Sequence, residues 1–560
     1  MSDSYLATLR ECRIDILEAL AIPHSLSLAI CYRYEQWDEL YALLKAADTM
    51  TTLGGFPCRT ISYERAFLQA NALFSKADDL PEVEQLDEQA IVSFIECESK
   101  NRETNIRFHT REVPSPLIYK TQQVIAEILG DFSMLDWSQN LRFGPGASST
   151  CRGDFTTIVD KLASEIHCTP RAFEHLENGF KHFFQFYYSL ASFDTSGCSN
   201  TYLTIPKKYD EKRGIAIGLH GNIVGQLATG ASMRRKFRRW VNLDTAADYH
   251  RKLVRTEWRS IATIDLRRAS QMIAKMAVRS VFPADWLEIM DDMREEFTFI
   301  PNMSDTIHGT PRYVYNQHYS AMGNGYTFEM ESILFYSLAK AAMLNAGLKW
   351  KILSVFGDDV IVDKHCADVV ISAFEAFGFE TNKSKTYTDG EFKESCGVDT
   401  LRGTNVRPVY LRNAKNGKQL EKFYKLANNI FRMAANSGHG LCIDARFYRA
   451  WKRCICQISE HKRFFAAASS RCGDGTPFGE SSDTTLLYAS NRKIEGHYEK
   501  YCIEIRYGRK ARRTSAGDIW LGAALLGASS NGIIPRGSRH YHLKRRKLRY
   551  KHKEPTVLWA

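Results

Sequence analysis

Two adjacent carboxylates, Asp358 and Asp359, stand between two short apolar runs and constrain the fold more than any other feature of this chain. Residues 352–356 lead into the Gly357-Asp358 pair, and residues 360–362 lead out. Runs rich in β-branched and aromatic side chains predict strands, and a Gly-Asp pair between them predicts a tight turn. Both acids then lie at a hairpin tip, where mutual repulsion disfavours ionising both without a cation. This pattern indicates a divalent-metal site, although Gly-Asp is also ordinary turn chemistry.

Length, composition and charge indicate what class of protein this chain belongs to. A chain of 560 residues with 44% hydrophobic and 25% charged residues predicts a globular protein of several subdomains. Its net charge of +11 resides in residues 501–560, which hold 14 Lys and Arg against three acids, whereas residues 1–100 carry a net charge of −9. We expect the two ends to have different partners, and the basic end to face a polyanion or to be simply a solvated tail.

The cysteines and the N-terminus indicate the compartment. The 14 cysteines are scattered without any CxxC pair, a distribution that favours neither a zinc site nor a disulfide framework. We find no export signal and no apolar stretch of membrane-spanning length, so we expect a cytoplasmic protein.

A second segment concentrates positive charge. Residues 202–206 and 214–217 read as two strands, and the predicted hairpin between them carries Lys207, Lys208, Lys212 and Arg213. If it overhangs a cleft, these cations can hold a triphosphate, with arginine as a bidentate donor. The alternative is a solvated turn.

A third acid follows another apolar strand. Residues 261–264 predict a buried strand that ends at Asp265, and a carboxylate in such a place needs a cation, a metal or a helix N-terminus. Together with Asp358 and Asp359 it completes the ligand set of a two-metal phosphoryl-transfer site.

Two further segments complete the pattern. Gly323-Asn324-Gly325 is a flexible loop that opens an apolar helix and could let a nucleotide or template backbone approach closely, although such a loop is also a common helix start. Downstream, residues 366–377 predict an amphipathic helix, and residues 392–397 predict a hairpin with residues 406–411.

In this order the segments resemble the catalytic subunit of the RNA-directed RNA polymerase of small single-stranded RNA bacteriophages, the leviviral replicase β chain. The similarity covers roughly residues 125–450. It rests on a series of motifs, namely Ile205 to Arg213, Thr263 to Leu266 with Ala269-Ser270, Met322 to Glu329, Phe356 to Asp359, Thr381-Asn382 with Lys385-Thr386, and Glu394 to Gly397.

The resemblance implies an α+β, right-handed polymerase fold with fingers, a palm built on an antiparallel sheet and a small thumb. We expect an acidic, mainly helical region at 1–110, fingers with a nucleotide-entrance hairpin at 111–260, the palm at 261–415, a helical thumb-like region at 416–500 and the basic tail at 501–560.

The resemblance also implies roles for particular residues. Asp265, Asp358 and Asp359 would carry two Mg²⁺ ions and Lys385 would be the general acid for the departing pyrophosphate. Lys207 and Arg213 would contact the incoming triphosphate, and Gly323 and Asn324 would help to recognise nucleotide or template.

One departure from the family pattern concerns the first palm motif. Gln271 stands where the family pattern has a second aspartate. In related polymerases that aspartate helps to sense the ribose 2′-hydroxyl, directly or through a neighbour. An amide can hydrogen-bond a hydroxyl but carries no charge. We therefore expect metal binding to survive and sugar discrimination or rate to change.

Two other functions remain open. A reverse transcriptase would share the palm and its acids, and a catalytically silent RNA-binding subunit would share the fold. For the polymerase, the resemblance implies a single-stranded RNA template, NTPs, and a complex with host elongation factors Tu and Ts and the large RNA-binding protein of the small ribosomal subunit, all in the cytoplasm of an infected bacterium.

Overall fold

The computed structural model describes residues 3–52, 60–77, 79–81, 83–153, 156, 158–301, 312–411, 419–437 and 442–459, together with the backbone of four strands between 493 and 559. Helices and mostly antiparallel strands alternate irregularly along this part of the chain, which confirms the predicted α+β class.

The helices of the described residues range in length from 4 to 24 residues. They are α1 (Asp3–Leu20), α2 (Pro23–Arg33), α3 (Trp37–Thr52), α4 (Ile61–Ser75), α5 (Leu86–His109), α6 (Ser115–Leu129), α7 (Met134–Gln139), α8 (Ile158–Leu162), α9 (Pro170–Phe183), α10 (Gln185–Tyr188), α11 (His220–Phe237), α12 (Ala246–Thr256), α13 (Lys275–Arg279), α14 (Ala284–Met293), α15 (Thr327–Asn345), α16 (Ala367–Ala376), α17 (Gln419–Ser437) and α18 (Tyr448–Cys456).

The strands are shorter. They are β1 (Ile166–His167), β2 (Phe193–Asp194), β3 (Ser199–Lys208), β4 (Glu211–Ile217), β5 (Ile261–Ile264), β6 (Leu266–Arg267), β7 (Phe297–Phe299), β8 (Tyr313–Tyr315), β9 (Leu353–Phe356), β10 (Asp359–Asp363), β11 (Glu380–Thr381), β12 (Phe392–Ser395), β13 (Val398–Leu401), β14 (Thr404–Asn405), β15 (Cys442–Ile443), β16 (Lys493–Ile494), β17 (His497–Arg506), β18 (His542–Lys551) and β19 (Leu558–Trp559).

The central sheet is antiparallel, in the order β5-β10-β9. Val360 in the middle strand pairs with Ile264 on one side and Val355 on the other, so the predicted hairpin is confirmed and the predicted strand at 261–264 lies beside it. Helix α15 is buried on nearly every side, which is typical of a helix within a large core. The helix predicted at 366–377 is α16, and it packs into the same core.

A second sheet has the order β4-β3-β7-β8. The turn of the charged hairpin predicted at 207–213 is shorter than expected. Strand β3 continues to Lys208 and β4 begins at Glu211, so the turn between them is only Tyr209-Asp210. An irregularity between Pro206 and Lys208 lets the strands remain paired although proline cannot donate.

The predicted pairing of residues 392–397 with 406–411 is wrong. Strand β12 pairs instead with β13, which pairs with β14. The physical reason is the turn between β12 and β13, where Cys396 has a φ of 48° and Gly397 a φ of 73°. Two successive positive φ values reverse the chain at once.

The N-terminal helices share a core with the helices after the palm. Leu17, Phe74, Tyr424, Phe431 and Trp451 are among its buried side chains. An ion pair joins the two parts, because Arg453 Nε lies 2.8 Å from Asp15 Oδ2. Tertiary packing thus unites segments that are more than 400 residues apart.

Of the basic end of the chain, only backbone strands are described: β17 pairs with β18, and β15 pairs with β19. The side chains of the tail, for which RNA contact was expected, lie outside the described residues. None of the described helices has the length and apolar composition needed to cross a bilayer.

Candidate active site

The turn of the central hairpin exposes Asp358 and places Asp359 at the start of β10. Gly357 has a φ of 62°, and a Cβ there would lie 2.9 Å from the Phe328 ring. Its N–H donates to Ser332 Oγ at 2.9 Å. Left-handed backbone, a close aromatic ring and this hydrogen bond together explain why glycine precedes the two acids.

The antiparallel pairing of Ile264 with Val360 brings Asp265, which follows Ile264, opposite Asp359, which precedes Val360. Its carboxylate is fixed from the neighbouring segment, since Asn382 Nδ2 donates to Asp265 Oδ2 at 2.6 Å. Its N–H donates to Thr386 Oγ1 at 3.2 Å. Three acids from two strands and one turn therefore meet at one end of the palm sheet.

The electrostatics of this acid cluster disfavour its charged state. Burial, with a smaller contribution from Asp358, raises the pKa of Asp265 to about 7, although Lys385 opposes the shift. Burial and repulsion from Asp358 raise the pKa of Asp359 to about 6. The pKa of Asp358 is also raised, chiefly because surrounding protein atoms displace part of its hydration although the residue is exposed at the turn. A cation bound here would reverse these shifts.

The donor set fits Mg²⁺, which prefers carboxylate oxygens and retains several waters. Within the described ranges, no three His, Cys, Asp or Glu side chains are already gathered around one point.

Lys385 faces the acid cluster. The carboxylate of Glu394, followed by those of Asp265 and Asp359, raises the pKa of Lys385 above its ordinary value despite partial burial. The ammonium is thus held protonated beside the acids. The backbone N–H of Lys385 donates to the backbone carbonyl of Asn382 at 2.9 Å, which links Lys385 to the residue that orients Asp265.

Lys207 and Arg213 lie on the hairpin that overhangs this cleft. The charges of both residues, together with that of Lys385, oppose the rise in the pKa of Asp358, so they lie within electrostatic reach of the turn. Lys207 Nζ also lies 2.7 Å from Glu211 Oε1, and Arg213 Nη1 lies 3.9 Å from Met322 Sδ. A phosphate that binds Lys207 would compete with the carboxylate of Glu211. Among the contacts that the structure describes, no carboxylate competes for Arg213.

The Gly323–Asn324 loop is locked against the same hairpin. Gly323 has a φ of 122°, a Cβ there would lie 2.1 Å from the Ala216 carbonyl oxygen, and Ala216 N–H donates to Met322 O at 2.9 Å. Asn324 Oδ1 accepts from Tyr326 N–H at 3.0 Å, so this side chain shapes the start of α15. The Gly323–Asn324 loop is therefore fixed both to β4 and to the first turn of α15.

Sequence reasoning missed two residues of the site. Asn382 was noticed only as part of a motif, and its hydrogen bond to Asp265 depends on a contact between distant segments. Glu331 is buried in α15, where Ser270 Oγ donates to both of its oxygens at 3.1 and 3.2 Å. Burial and the charge of Asp358 raise its pKa to about 8. An acid within the apolar run of α15 was the available signal.

Gln271 is held at the edge of the cleft. Its carbonyl oxygen accepts from Asn101 Nδ2 at 2.7 Å, and Cys97 Sγ lies 3.9 Å from its Oε1. The amide therefore contacts α5 as well as the palm. Its side chain is partly exposed.

An antiparallel palm hairpin that bears two acids, a third acid on the adjoining strand and an overhanging cationic hairpin define a nucleic-acid polymerase of the right-handed class. The family model described as "RNA replicase, beta-chain" matches residues 31–557, and the chain belongs to this family.

Individual relatives agree with this assignment. The RNA-directed RNA polymerase subunit beta of Enterobacteria phage SP is 30% identical over 464 residues, which cover 80% of this chain and 76% of that protein. The same subunit of Escherichia virus Qbeta is 28% identical over 379 residues, or 65% of this chain and 62% of that protein. Among solved structures, the RNA-dependent RNA polymerase of a human picorbirnavirus is 12% identical, with a TM-score of 0.39, over 67% of this chain and 79% of that one.

Proposed function

We propose that this RNA-directed RNA polymerase replicates a viral single-stranded RNA by joining ribonucleotides to an RNA 3′ end at the cleft formed by Asp265, Asp358 and Asp359. The observation that carries the proposal is the strand register, which puts Asp265 across from Asp359 beside the exposed Asp358. Family membership supports RNA synthesis from RNA over the reverse transcriptase and the silent subunit.

Asp265, Asp358 and Asp359 would hold two Mg²⁺ ions. When bound, such ions lower the pKa of the attacking 3′-hydroxyl and neutralise charge on the triphosphate. The raised pKa values of Asp265 and Asp359 support this role, because burial and repulsion between the carboxylates disfavour their ionisation until a cation binds.

The chain's own residues orient the reactants and supply a proton. Asn382 fixes one carboxylate oxygen of Asp265. Arg213 and Lys207 would bind the triphosphate from the opposite side of the cleft. Lys385, held protonated by Glu394 and the acid cluster, would donate its proton to the leaving pyrophosphate.

The remaining assignments follow from family membership. Residues 111–260 would form the fingers, 261–415 the palm and 416–500 the thumb-like region. RNA and NTPs would be the substrates, elongation factors Tu and Ts and the large RNA-binding ribosomal protein would be partners, and the cytoplasm of the infected bacterium would be the location. The acidic surface of residues 1–110 is one candidate for docking a host factor.

The test is Mg²⁺-dependent incorporation of labelled ribonucleotides on a single-stranded RNA template, with the chain alone and with host factors added. Asp358→Asn should abolish incorporation, and Asp368→Asn, which changes an exposed acid of α16, should not. Deoxyribonucleotides offered in parallel should be used poorly. Full incorporation by Asp358→Asn would refute the proposed site, and preferred use of deoxyribonucleotides would refute the proposed reaction.

A further inference from the structure

The sheet β4-β3-β7-β8 has one face against the protein, and its other face is open to solvent at the edge formed by β8. Asn200, Tyr202 and Thr298 alternate inward and are all buried. Tyr202 packs on Phe94 of α5 with a ring-centroid distance of 4.9 Å. The residues between them on each strand point outward, as the two-residue period of a strand requires.

The outward face carries four aromatic rings, Phe297, Phe299, Tyr313 and Tyr315, which we name the aromatic quartet. Cross-strand partners contact each other: the Phe297 and Tyr315 centroids are 5.4 Å apart, and those of Phe299 and Tyr313 are 4.9 Å apart. Tyr313 and Tyr315 are 53% and 50% exposed. Exposed aromatic rings that already contact each other form a rigid surface at little entropic cost.

A buried cation accompanies the quartet. Lys275 is only 6% exposed, and its Nζ lies 3.8 Å from the Tyr315 ring centroid. Across the described part of the chain, no carboxylate or carbonyl lies within hydrogen-bond distance of this ammonium. Burial and the nearby Arg294 lower the pKa of Lys275 to about 8, and the exposed Glu296 opposes this shift. An ammonium in such a place favours an anion as a ligand.

We propose that the aromatic quartet and Lys275 form a binding site for single-stranded RNA, in which two unpaired bases stack on the two ring pairs and a phosphate reaches Lys275. The inference rests on the proposed function, because it gives that reaction's RNA a path along the fingers. Stacking on aromatic rings beside cations is a general mode of sequence-independent binding to single strands.

Spacing and continuity favour an unpaired strand. Phe297 and Phe299 are two residues apart on one strand, roughly 7 Å, which is about twice the spacing of successive bases in one strand of a duplex. The site therefore suits bases that have been drawn apart. Thr201 pairs with Phe299 and with Ile217, and Ile205 pairs with Arg213, so the same outward face extends to the nucleotide-entrance hairpin.

The experiment measures binding of a 2-aminopurine-labelled single-stranded RNA 10-mer to the full chain, without Mg²⁺ or NTPs. The double variant Tyr313→Ala with Tyr315→Ala should bind at least about 30-fold more weakly, since each stacked base contributes about 1–3 kcal/mol. Tyr313→Phe with Tyr315→Phe should keep the affinity within about twofold, because the rings remain. Tyr119→Ala, which removes a ring that is 60% exposed on α6, is the matched control and should have no effect.

Two further measurements make the result specific. A blunt RNA duplex should bind the alanine double variant and the unaltered chain equally, since its bases are not available for stacking. Lys275→Met should reduce the salt dependence of single-strand binding by about 0.7 in log K per log salt, the value for one phosphate contact.

Unchanged single-strand affinity of the alanine double variant, or an equal loss for the duplex, would overturn the proposal; the first result would leave the quartet as a surface for a protein. The polymerase proposal is tested separately by Asp358→Asn, because binding is measured here without metal or substrate. Thermal unfolding of each variant shows whether the fold is retained.

Discussion

Gly323→Ala should disable the loop beside the nucleotide-entrance hairpin while leaving the rest of the palm intact. The backbone at Gly323 has a φ of 122°, which an L-residue rarely adopts. The added methyl would also lie 2.1 Å from the Ala216 carbonyl oxygen, which is a backbone atom of β4 and cannot rotate away. The loop must therefore move by about an ångström or more to reach an ordinary contact distance.

The magnitude follows from two contributions. Backbone strain at a position of this kind costs on the order of 1–3 kcal/mol. Displacement also breaks the Ala216 N–H to Met322 O hydrogen bond, now 2.9 Å long, which contributes about 0.5–1.5 kcal/mol. A total of roughly 1.5–4.5 kcal/mol lowers the population of the correctly placed loop by a factor of about 10 or more.

The assay is steady-state ribonucleotide incorporation at varied NTP concentration. We expect kcat/KM for the nucleotide to fall at least about tenfold. Gly347→Ala is the matched control, because Gly347 also has a positive φ, 66°, but a Cβ there meets nothing within 4 Å. Equal kcat/KM for the two variants would refute the reasoning, since it would show that the contact with Ala216 has no functional consequence.

Three other substitutions test the surroundings of the acid cluster. Asn382→Ala should lower kcat about tenfold or more by releasing the Asp265 carboxylate, and an unchanged kcat would contradict its role in orientation. The fold raises the pKa of Glu331 from 4.5 to about 8, so the folded state binds a proton that the unfolded state has lost, and its stability falls as pH rises through that range. The unfolding temperature of Glu331→Gln should therefore depend less on pH between pH 6 and 8.5 than that of the unaltered chain. Parallel curves of unfolding temperature against pH would contradict the assignment. Gln271→Asp should change the preference for ribonucleotides over deoxyribonucleotides or the rate, and identical selectivity and rate would exclude a role for Gln271 in sugar sensing.

Much of the candidate site is encoded locally. The hairpin around Asp358 follows from apolar runs on either side of Gly357, because strand period and turn chemistry act within about ten residues. The strand before Asp265 has the same kind of origin. Such features are readable because no distant part of the chain is needed to form them.

The errors and omissions have the opposite origin. The pairing of β12 with β13 was mispredicted because the competing segment at 406–411 also has strand character, and only the positive φ values at Cys396 and Gly397 decide between them. Asn382 and Glu331 could not be assigned roles, because each acts through a partner more than 60 residues away, Asp265 and Ser270 respectively.

The sequence by itself determined the kind of chemistry: which acids are present, that two of them share a turn, and that cations lie on a separate hairpin. Tertiary structure decided how these groups act together. The register of β10 against β5 places Asp265 beside Asp359, and the fold of the second sheet brings four aromatic rings to one face. The physical reason is that charges and rings interact over a few ångströms, and only long-range packing reduces hundreds of residues of separation to such distances.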